Sequence, residues 1–298
     1  MRVKVIINPA SGKPEPVLSV LNEVFDPGGI DWDVAITHKG GDGVLAAREA
    51  AEQGYDLIGV YGGDGTVTEV ASALVDGGPP ILLLPGGTGN ALAADLGVPP
   101  TLREAAALVD EALSEVRRID LGRSADCLFV LRMTMGLEAA MVAAATREMK
   151  DVYGWLAYAF GGLQALSAAP VAMYSITVDG VTAECEGLAA IVANSASTGV
   201  AGVRIADDVS VSDGLLDLVI VQKTNLPGLL GIATAAAQEE PSNLLNRWKG
   251  KEIRVDAHPT QVVLADGEEA GSTPVSVTVV PDAVGVLVPK PVAAKEAV

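Results

Sequence analysis

The stretch Leu57-Ile58-Gly59-Val60-Tyr61-Gly62-Gly63-Asp64-Gly65-Thr66-Val67-Thr68-Glu69-Val70-Ala71 decides the reading of this chain. Its opening LIGVYG is an apolar and glycine run that ends in turn residues, the pattern of a strand buried on both faces. From Thr66 to Val75 the spacing becomes that of a helix, so the strand enters a helix N-terminus through glycines. Such a junction aims unpaired N–H groups and a positive dipole end at one point, which suits an anion and above all a phosphate. Glycines let the backbone approach that guest, and Thr66 can cap the helix or bind a phosphate oxygen. A plain strand-to-helix turn capped by Asp64 accounts for the same residues without a ligand.

Working outward, VKVIIN (3–8), DVAIT (33–37) and ILLLPG (81–86) also read as buried parallel strands. Helical spacing fills the gaps at Glu15 to Phe25, Gly43 to Gln53, Asn90 to Leu96 and Leu102 to Leu113. This rhythm predicts an α/β, doubly wound, mostly parallel N-terminal sheet. Two more strands end in polar loops, Asn8-Pro9-Ala10-Ser11-Gly12-Lys13 and Pro85-Gly86-Gly87-Thr88-Gly89-Asn90. The loop from Pro85 repeats the glycine-loop-to-helix pattern, and in an open parallel sheet the edge where such loops emerge is the usual ligand crevice. No GxxxxGK[ST] is present, and no GxGxxG opens onto a helix with an acid about 20 residues on, so P-loop and dinucleotide dehydrogenase readings lose support.

After Ile119 the texture turns to short strands: CLFVLRMTMG, YSITVDG, GLAAIVANS, LLDLVIV, EIRVDA, QVVLADGE, VSVTVV and VGVLVP. Helices are expected around Ala139 to Ser167 and Leu226 to Trp248. The expected division is an α/β domain over 1–120, a β-rich, sandwich-like domain over 121–290, and a frayed tail over 291–298. The charge-free run Val152 to Val178 is long enough to span a bilayer, but its glycines, Gln164, Ser167, Pro170 and the alternating MYSITVD favour a buried or interfacial helix followed by a strand.

The chain has 298 residues and a net charge of −18, which argues against binding nucleic acid and requires any membrane attraction to be local. Asn246 to Arg254 supplies a candidate patch, with Arg247, Lys249, Lys251 and Arg254 around Trp248; a solvated loop entering EIRVDA explains it equally well. Two cysteines, Cys127 and Cys185, without a CxxC motif, and two histidines, His38 and His258, without metal-ligand spacing, point away from disulfide scaffolds and zinc sites. The N-terminus lacks signal-peptide character, and a reducing cytoplasm is expected.

INPASGK, GGDGTVTEVASAL and PGGTGNALAADLG, in this order, resemble the bacterial diacylglycerol kinase and lipid kinase family, whose relatives include sphingosine and ceramide kinases. The likeness continues through YGWLAYAFGGLQAL, IVANSASTGVAGVRIADDVSVSDGLLDLVIV and VLADGEEAG. GGDGT alone is shared with NAD kinases; joined to PGGTGN, SDGLLD and DGE it is specific. The resemblance implies ATP bound in the interdomain cleft by Asn8, Pro9, Ala10, Ser11, Gly12, Thr37, Gly62, Gly63, Asp64, Gly65, Thr66, Val67, Thr68 and Thr88. It also implies a proton acceptor at Glu268 and a structural Mg²⁺ at Ser210, Asp213 and Leu215, partly through backbone carbonyls. This sequence departs from the family at Ala91, where an acid is frequent, and at Glu138, where an Asp is frequent.

The implied chemistry is sound, because phosphoryl transfer asks the protein chiefly for phosphate neutralisation, Mg²⁺ and a carboxylate near the accepting hydroxyl. Asp64 and Glu268 supply the two catalytic carboxylates in this reading. The Asp-Gly of DGE is, independently of any catalysis, a good type I′ hairpin signal, and the same holds for Asp213-Gly214. The expected activity is ATP-dependent phosphorylation of a lipid hydroxyl, diacylglycerol giving phosphatidic acid, at the inner face of the membrane. The alternatives are a sphingoid-base or ceramide kinase, an NAD kinase-like enzyme, and a catalytically silent lipid or nucleotide sensor.

Overall fold

The computed structural model describes residues 1–11, 15–75, 77–136, 171–197, 204–206, 208–223 and 244–291. The chain divides into two compact units, Met1–Ile119 together with the chain from Asp282 onward, and Asp120–Pro281. The first unit is therefore not contiguous in sequence, whereas the second is a single run from Asp120 to Pro281, beside the 121–290 expected for the β-rich part.

In the first unit the elements are β1 (Arg2–Ile7), α1 (Val17–Phe25), β2 (Asp31–Ile36), α2 (Asp42–Glu52), β3 (Leu57–Gly62), α3 (Asp64–Ala73), β4 (Ile81–Pro85), α4 (Ala91–Asp95) and α5 (Leu102–Ala106). The strands lie parallel in the order β2-β1-β3-β4. β3 is buried at all six positions, as its unbroken run requires of a central strand. The helix expected to run to Leu113 is shorter: α5 ends at Ala106, and a single 3-10 turn covers Ala107–Val109.

The remaining strands are β5 (Ser114–Arg123), β6 (Leu128–Phe129), β7 (Arg132–Met135), β8 (Ala172–Val178), β9 (Val181–Gly187), β10 (Ala189–Ala193), β11 (Leu216–Val221), β12 (Leu245–Gly250), β13 (Glu252–His258), β14 (Val262–Ala265), β15 (Glu268–Ser272) and β16 (Val275–Pro289). VSVTVV and VGVLVP are thus one strand of 15 residues. Its last part runs parallel to β4, with Val286 opposite Ile81, and its first part runs antiparallel to β13 in the second unit. Within that unit β13 also pairs β8, which pairs β9. A second, antiparallel sheet of six strands has the order β12-β11-β10-β7-β14-β15. Alternation such as eBeBeBe along β13 sends Ile253, Val255 and Ala257 inward, where they share a core with Met133, Val192, Leu218, Ile220 and Val263 from the other sheet. That is the sandwich the short-strand texture predicted.

Three expectations change here. Residues 245–248, read as the end of a helix, begin β12, which pairs β11 from Leu245 opposite Val221 to Gly250 opposite Leu216. The basic stretch from Asn246 is consequently neither loop nor helix. VTAECEG, not singled out as a strand, is β9: its inward positions are the small Ala183, Cys185 and Gly187, so the apolar half of the alternation is weak. The helix expected over 139–167 and the rest of the one expected from Leu226, up to 243, lie outside the described residues, as does the larger part of Val152–Val178; Ala172–Val178 is the predicted strand.

Candidate active site

Three loops follow β1, β2 and β3 at one edge of the parallel sheet. Asn8, directly after β1, donates from Nδ2 to the Thr66 hydroxyl at 3.0 Å, and its backbone N–H bonds the Tyr61 carbonyl at 2.9 Å. Its Oδ1 accepts from the Ala10 N–H at 3.0 Å, curling Pro9 and Ala10 outward, where both are exposed. Thr37, after β2, is buried and donates its N–H to the Ile7 carbonyl at 2.9 Å. Asn8 is thus joined to Thr66 of the GGDGT turn and Thr37 to the end of β1, while the Ser11 hydroxyl donates to the Asn8 carbonyl at 3.0 Å. Gly12 lies outside the described residues.

At the turn itself Gly63 is the N-cap of α3, with extended backbone. The first amides of a helix have no intrahelical acceptor, so Asp64 and Gly65 present N–H groups at this end. A Cβ on Gly65 would meet nothing within 4 Å, and one on Gly63 would find only the Gly87 Cα, at 3.7 Å. The N-terminus of a ten-residue helix thus opens onto free space beside its glycines, the arrangement an anion needs. Val67 is buried behind it, while Thr68 is half-buried on the first turn.

The second glycine loop does a different job from the one its sequence suggests. The N–H groups of Gly86 and Gly87 both donate to the Gly62 carbonyl at 3.1 Å. Gly87 and Asn90 exchange bonds of 2.9 and 2.8 Å, and Asn90 sits at φ 48°. The two loops touch at backbone: a Cβ on Gly87 would lie 2.6 Å from the Gly63 Cα. Asp64 completes the brace, its two oxygens accepting the Ala91 and Leu92 amides of α4 at 3.0 and 3.2 Å. So Asp64 caps α4, not the helix it begins, and α4, five residues long with these amides engaged, is no second anion site. Thr88 stands exposed at the tip of the loop.

One residue passed over in the sequence belongs to this unit's site. Glu69, on the second turn of α3, accepts the Gly41 and Gly43 amides on its two oxygens at 2.9 Å each. It thereby clamps the loop that carries Thr37, His38 and Lys39. A Cβ on Gly43 would strike Glu69 Oε2 at 2.6 Å, which explains the glycine. Tyr61, under the loops, donates to Glu15 at 2.8 Å; burial, and then this bond, push its phenol up to about 12.

In the second unit Asp266 and Gly267 take φ 47° and 89° between Ala265 and Glu268, which pair across the hairpin. The type I′ turn signalled by Asp-Gly is therefore present, and it sets Glu268 exposed at the first position of β15. Asp266 was legible only as a turn residue, yet its carboxylate accepts the amides of Val130, Leu131 and Arg132 at 2.8, 3.0 and 2.9 Å. Asn194 holds the same segment from its carbonyl side, donating to Val130 O at 2.7 Å and Asp120 O at 2.8 Å. Glu268 thus follows a turn that Asp266 ties to the Val130–Arg132 segment.

Ser210, Asp213 and Leu215 do share one turn, but the turn is already occupied by side chains of this protein. Asp213 Oδ1 accepts the Leu215 N–H at 3.0 Å, and Oδ2 accepts Lys249 Nζ at 2.9 Å. Gly214, at φ 71°, donates to the buried Asp120 at 2.7 Å. Among the described residues no cluster of three or more His, Cys, Asp or Glu could hold a metal. A resident divalent ion at Asp213 does not fit these residues as they stand, and no step is routed through one. Nor does the patch from Asn246 offer free charge throughout: Arg247 pairs with Asp208 and Asp217, and Lys249 with Asp213 and Asp217. The Arg247 hydrogen bond holds Asp208 below the ordinary carboxylate range, whereas burial pushes Asp217 up against the pull of both cations.

The chain is a parallel sheet with an open helix N-terminus followed by a β-sandwich that carries an exposed hairpin carboxylate, and the class of this two-unit, sandwich-bearing fold is given by its relatives. Residues 2–124 match the Diacylglycerol kinase catalytic domain, and residues 132–288 match the YegS C-terminal NAD kinase beta sandwich-like domain. The chain belongs to the diacylglycerol kinase and lipid kinase family. It is 30% identical to a diacylglycerol kinase of Bacillus subtilis strain 168 over 92% of this chain and 91% of that one. It is 34% identical to an uncharacterized protein of Synechocystis, covering 86% of this chain but 61% of that longer one. The crystal structure of a proposed diacylglycerol kinase from Bacillus anthracis strain Sterne superposes with a TM-score of 0.82 at 26% identity, over 97% of this chain and 95% of that one. Among the described residues no helix is long and apolar enough to cross a membrane.

Proposed function

We propose that this kinase transfers the γ-phosphate of Mg²⁺-bound ATP to the free hydroxyl of a membrane lipid, diacylglycerol giving phosphatidic acid. The observation that carries this reading is the open N-terminus of α3 at Gly63–Thr66, tied to Asn8 through the Thr66 hydroxyl, in a chain whose family acts on lipid hydroxyls. The ATP phosphates lie against the amides of Asp64 and Gly65, with Thr66, Thr68 and the loop from Asn8 to Ser11 beside them. Thr88 and the second loop bound the nucleotide, held in place by Asp64. Glu268 accepts the proton of the attacking hydroxyl, and the fixed Asp266-Gly267 turn keeps its carboxylate in position. Mg²⁺ arrives with ATP as part of the substrate. The protein works peripherally at the cytoplasmic face of the membrane, where its acceptor is dissolved.

The name of the second family domain gives one rival its footing, since it links that sandwich to NAD kinases. Incubation with γ-labelled ATP, Mg²⁺ and a panel of diacylglycerol, sphingoid base and ceramide in mixed micelles, with NAD in a parallel tube, separates the readings. Label in phosphatidic acid supports the proposal; label in a sphingolipid keeps the class and changes the acceptor. Label in NAD, or in nothing, refutes it.

A further inference from the structure

The turn that the family resemblance assigns to a metal is built in this chain around an amine. Lys249 Nζ lies 2.9 Å from Asp213 Oδ2, 2.9 Å from the Asp208 carbonyl and 3.6 Å from Asp217 Oδ2. Three oxygens around one positive charge, two of them carboxylate, is the donor chemistry a hard cation seeks. An ammonium, with three N–H donors, satisfies the same set. Its position is not incidental. Lys249 is the direct cross-strand partner of Asp217 in the β11–β12 pair, and Arg247, two residues earlier on the same face, places Nε and Nη2 2.9 and 2.6 Å from Asp217 Oδ1 while Nη1 reaches Asp208. Asp217 is 1% exposed, so an unpaired charge there would be costly, and the two cations of β12 meet that requirement.

We infer that the Lys249 ammonium is the resident cation of the Ser210–Leu215 turn, standing where a divalent ion would otherwise bind, with Arg247 neutralising the remaining carboxylates. The Ser210–Leu215 turn then needs no structural metal, and the Mg²⁺ of the proposed reaction enters with the nucleotide. The inference concerns how the turn is held, so it stands whatever lipid the kinase accepts.

Direct Mn²⁺ binding to the full chain in the absence of nucleotide, read by electron paramagnetic resonance, tests it in the parent, Asp213→Asn and Lys249→Met. Met keeps the apolar stem and removes the charge, leaving the oxygens facing one another. Equal Mn²⁺ binding by parent and Asp213→Asn, whether some or none, is expected, with Lys249→Met gaining a site. Binding by the parent that Asp213→Asn abolishes would overturn the inference, as would a folded Lys249→Met that binds no more than the parent. If Lys249→Met does not fold, the comparison of parent with Asp213→Asn still decides. Melting curves give a further readout: a resident ion adds stability by mass action, several degrees for a well-filled site, so an Asp213-dependent drop of the parent in chelator would also count against it.

Discussion

At the residue scale the glycines of the two loops have separable roles. Gly65 has open space where a Cβ would go and lies outside the left-handed region. Gly65→Ala is therefore expected to leave melting unchanged or raise stability by up to about 1 kcal/mol, while its methyl intrudes on the phosphates and weakens ATP binding. Gly87→Ala is the mirror case: a 2.6 Å approach to backbone forces the loops apart, at about 1–3 kcal/mol, before any nucleotide is considered. Calorimetric titration with ATP beside melting curves checks both; unchanged ATP affinity in Gly65→Ala would remove phosphate from this helix end. A similar division applies to Asp266 and Glu268. Asp266→Ala leaves the amides of Val130, Leu131 and Arg132 without their acceptor and is expected to cost about 3 kcal/mol in chemical denaturation. Glu268, exposed, carries no such load, and its replacement should leave stability within about 0.5 kcal/mol of the parent.

At the scale of elements, Glu69 couples α3 to the loop before α2. Glu69→Ala frees the Gly41 and Gly43 amides, so Thr37 loses its fixed place; the KM for ATP is expected to rise about tenfold with little change in kcat, and Glu69→Gln to restore part of it. An unchanged KM in a folded Glu69→Ala would show that the clamp is structural alone. Tyr61 reports on the floor of the same loops. Its folded value, about 12, is raised above the ordinary one near 10, so its contribution to stability is complete below pH 10 and is lost as pH rises through 12. Ultraviolet titration should show Tyr61 ionising late together with Tyr55 and Tyr174, which are also raised, and Glu15→Gln should bring the Tyr61 step alone earlier. These elements also show what the sequence could reveal. Buried runs such as LIGVYG and ILLLP carry their own hydrophobic signal, and Asp-Gly fixes its hairpin locally, so the sheet, the α3 junction and the turn before Glu268 were readable. The bond from Asp64 to α4, the Glu69 clamp and the pairing of Lys249 with Asp213 join residues 26 or more positions apart, and no local pattern announces which acid meets which amide. β12 was hidden for a related reason: Arg247 and Lys249 resemble solvent residues until Asp208, Asp213 and Asp217 are placed opposite them.

At the scale of the whole molecule, the work is divided. In the proposed reading the first unit binds the phosphates at the α3 end and the second supplies Glu268 for the acceptor's proton; the chain passes from one unit to the other in β5 and β16. A protein of charge −18 would meet an anionic bilayer against its own field, so the membrane contact proposed above requires local features. Since Arg247 and Lys249 are committed to internal carboxylates, charge reversal at these two is expected to lower melting temperature before it alters vesicle co-sedimentation; an unchanged melting curve would return them to the surface. The central claim is that lipid phosphorylation requires Glu268 on top of nucleotide binding by the first unit. Its most direct test follows label from γ-labelled ATP into diacylglycerol in mixed micelles, with parent and Glu268→Gln side by side at saturating substrates and matched ATP affinity. Labelled phosphatidic acid from the parent, with turnover about 10²–10⁴-fold lower in the variant, is the predicted result; equal turnover by the two proteins, or no label in lipid from the parent, would contradict it.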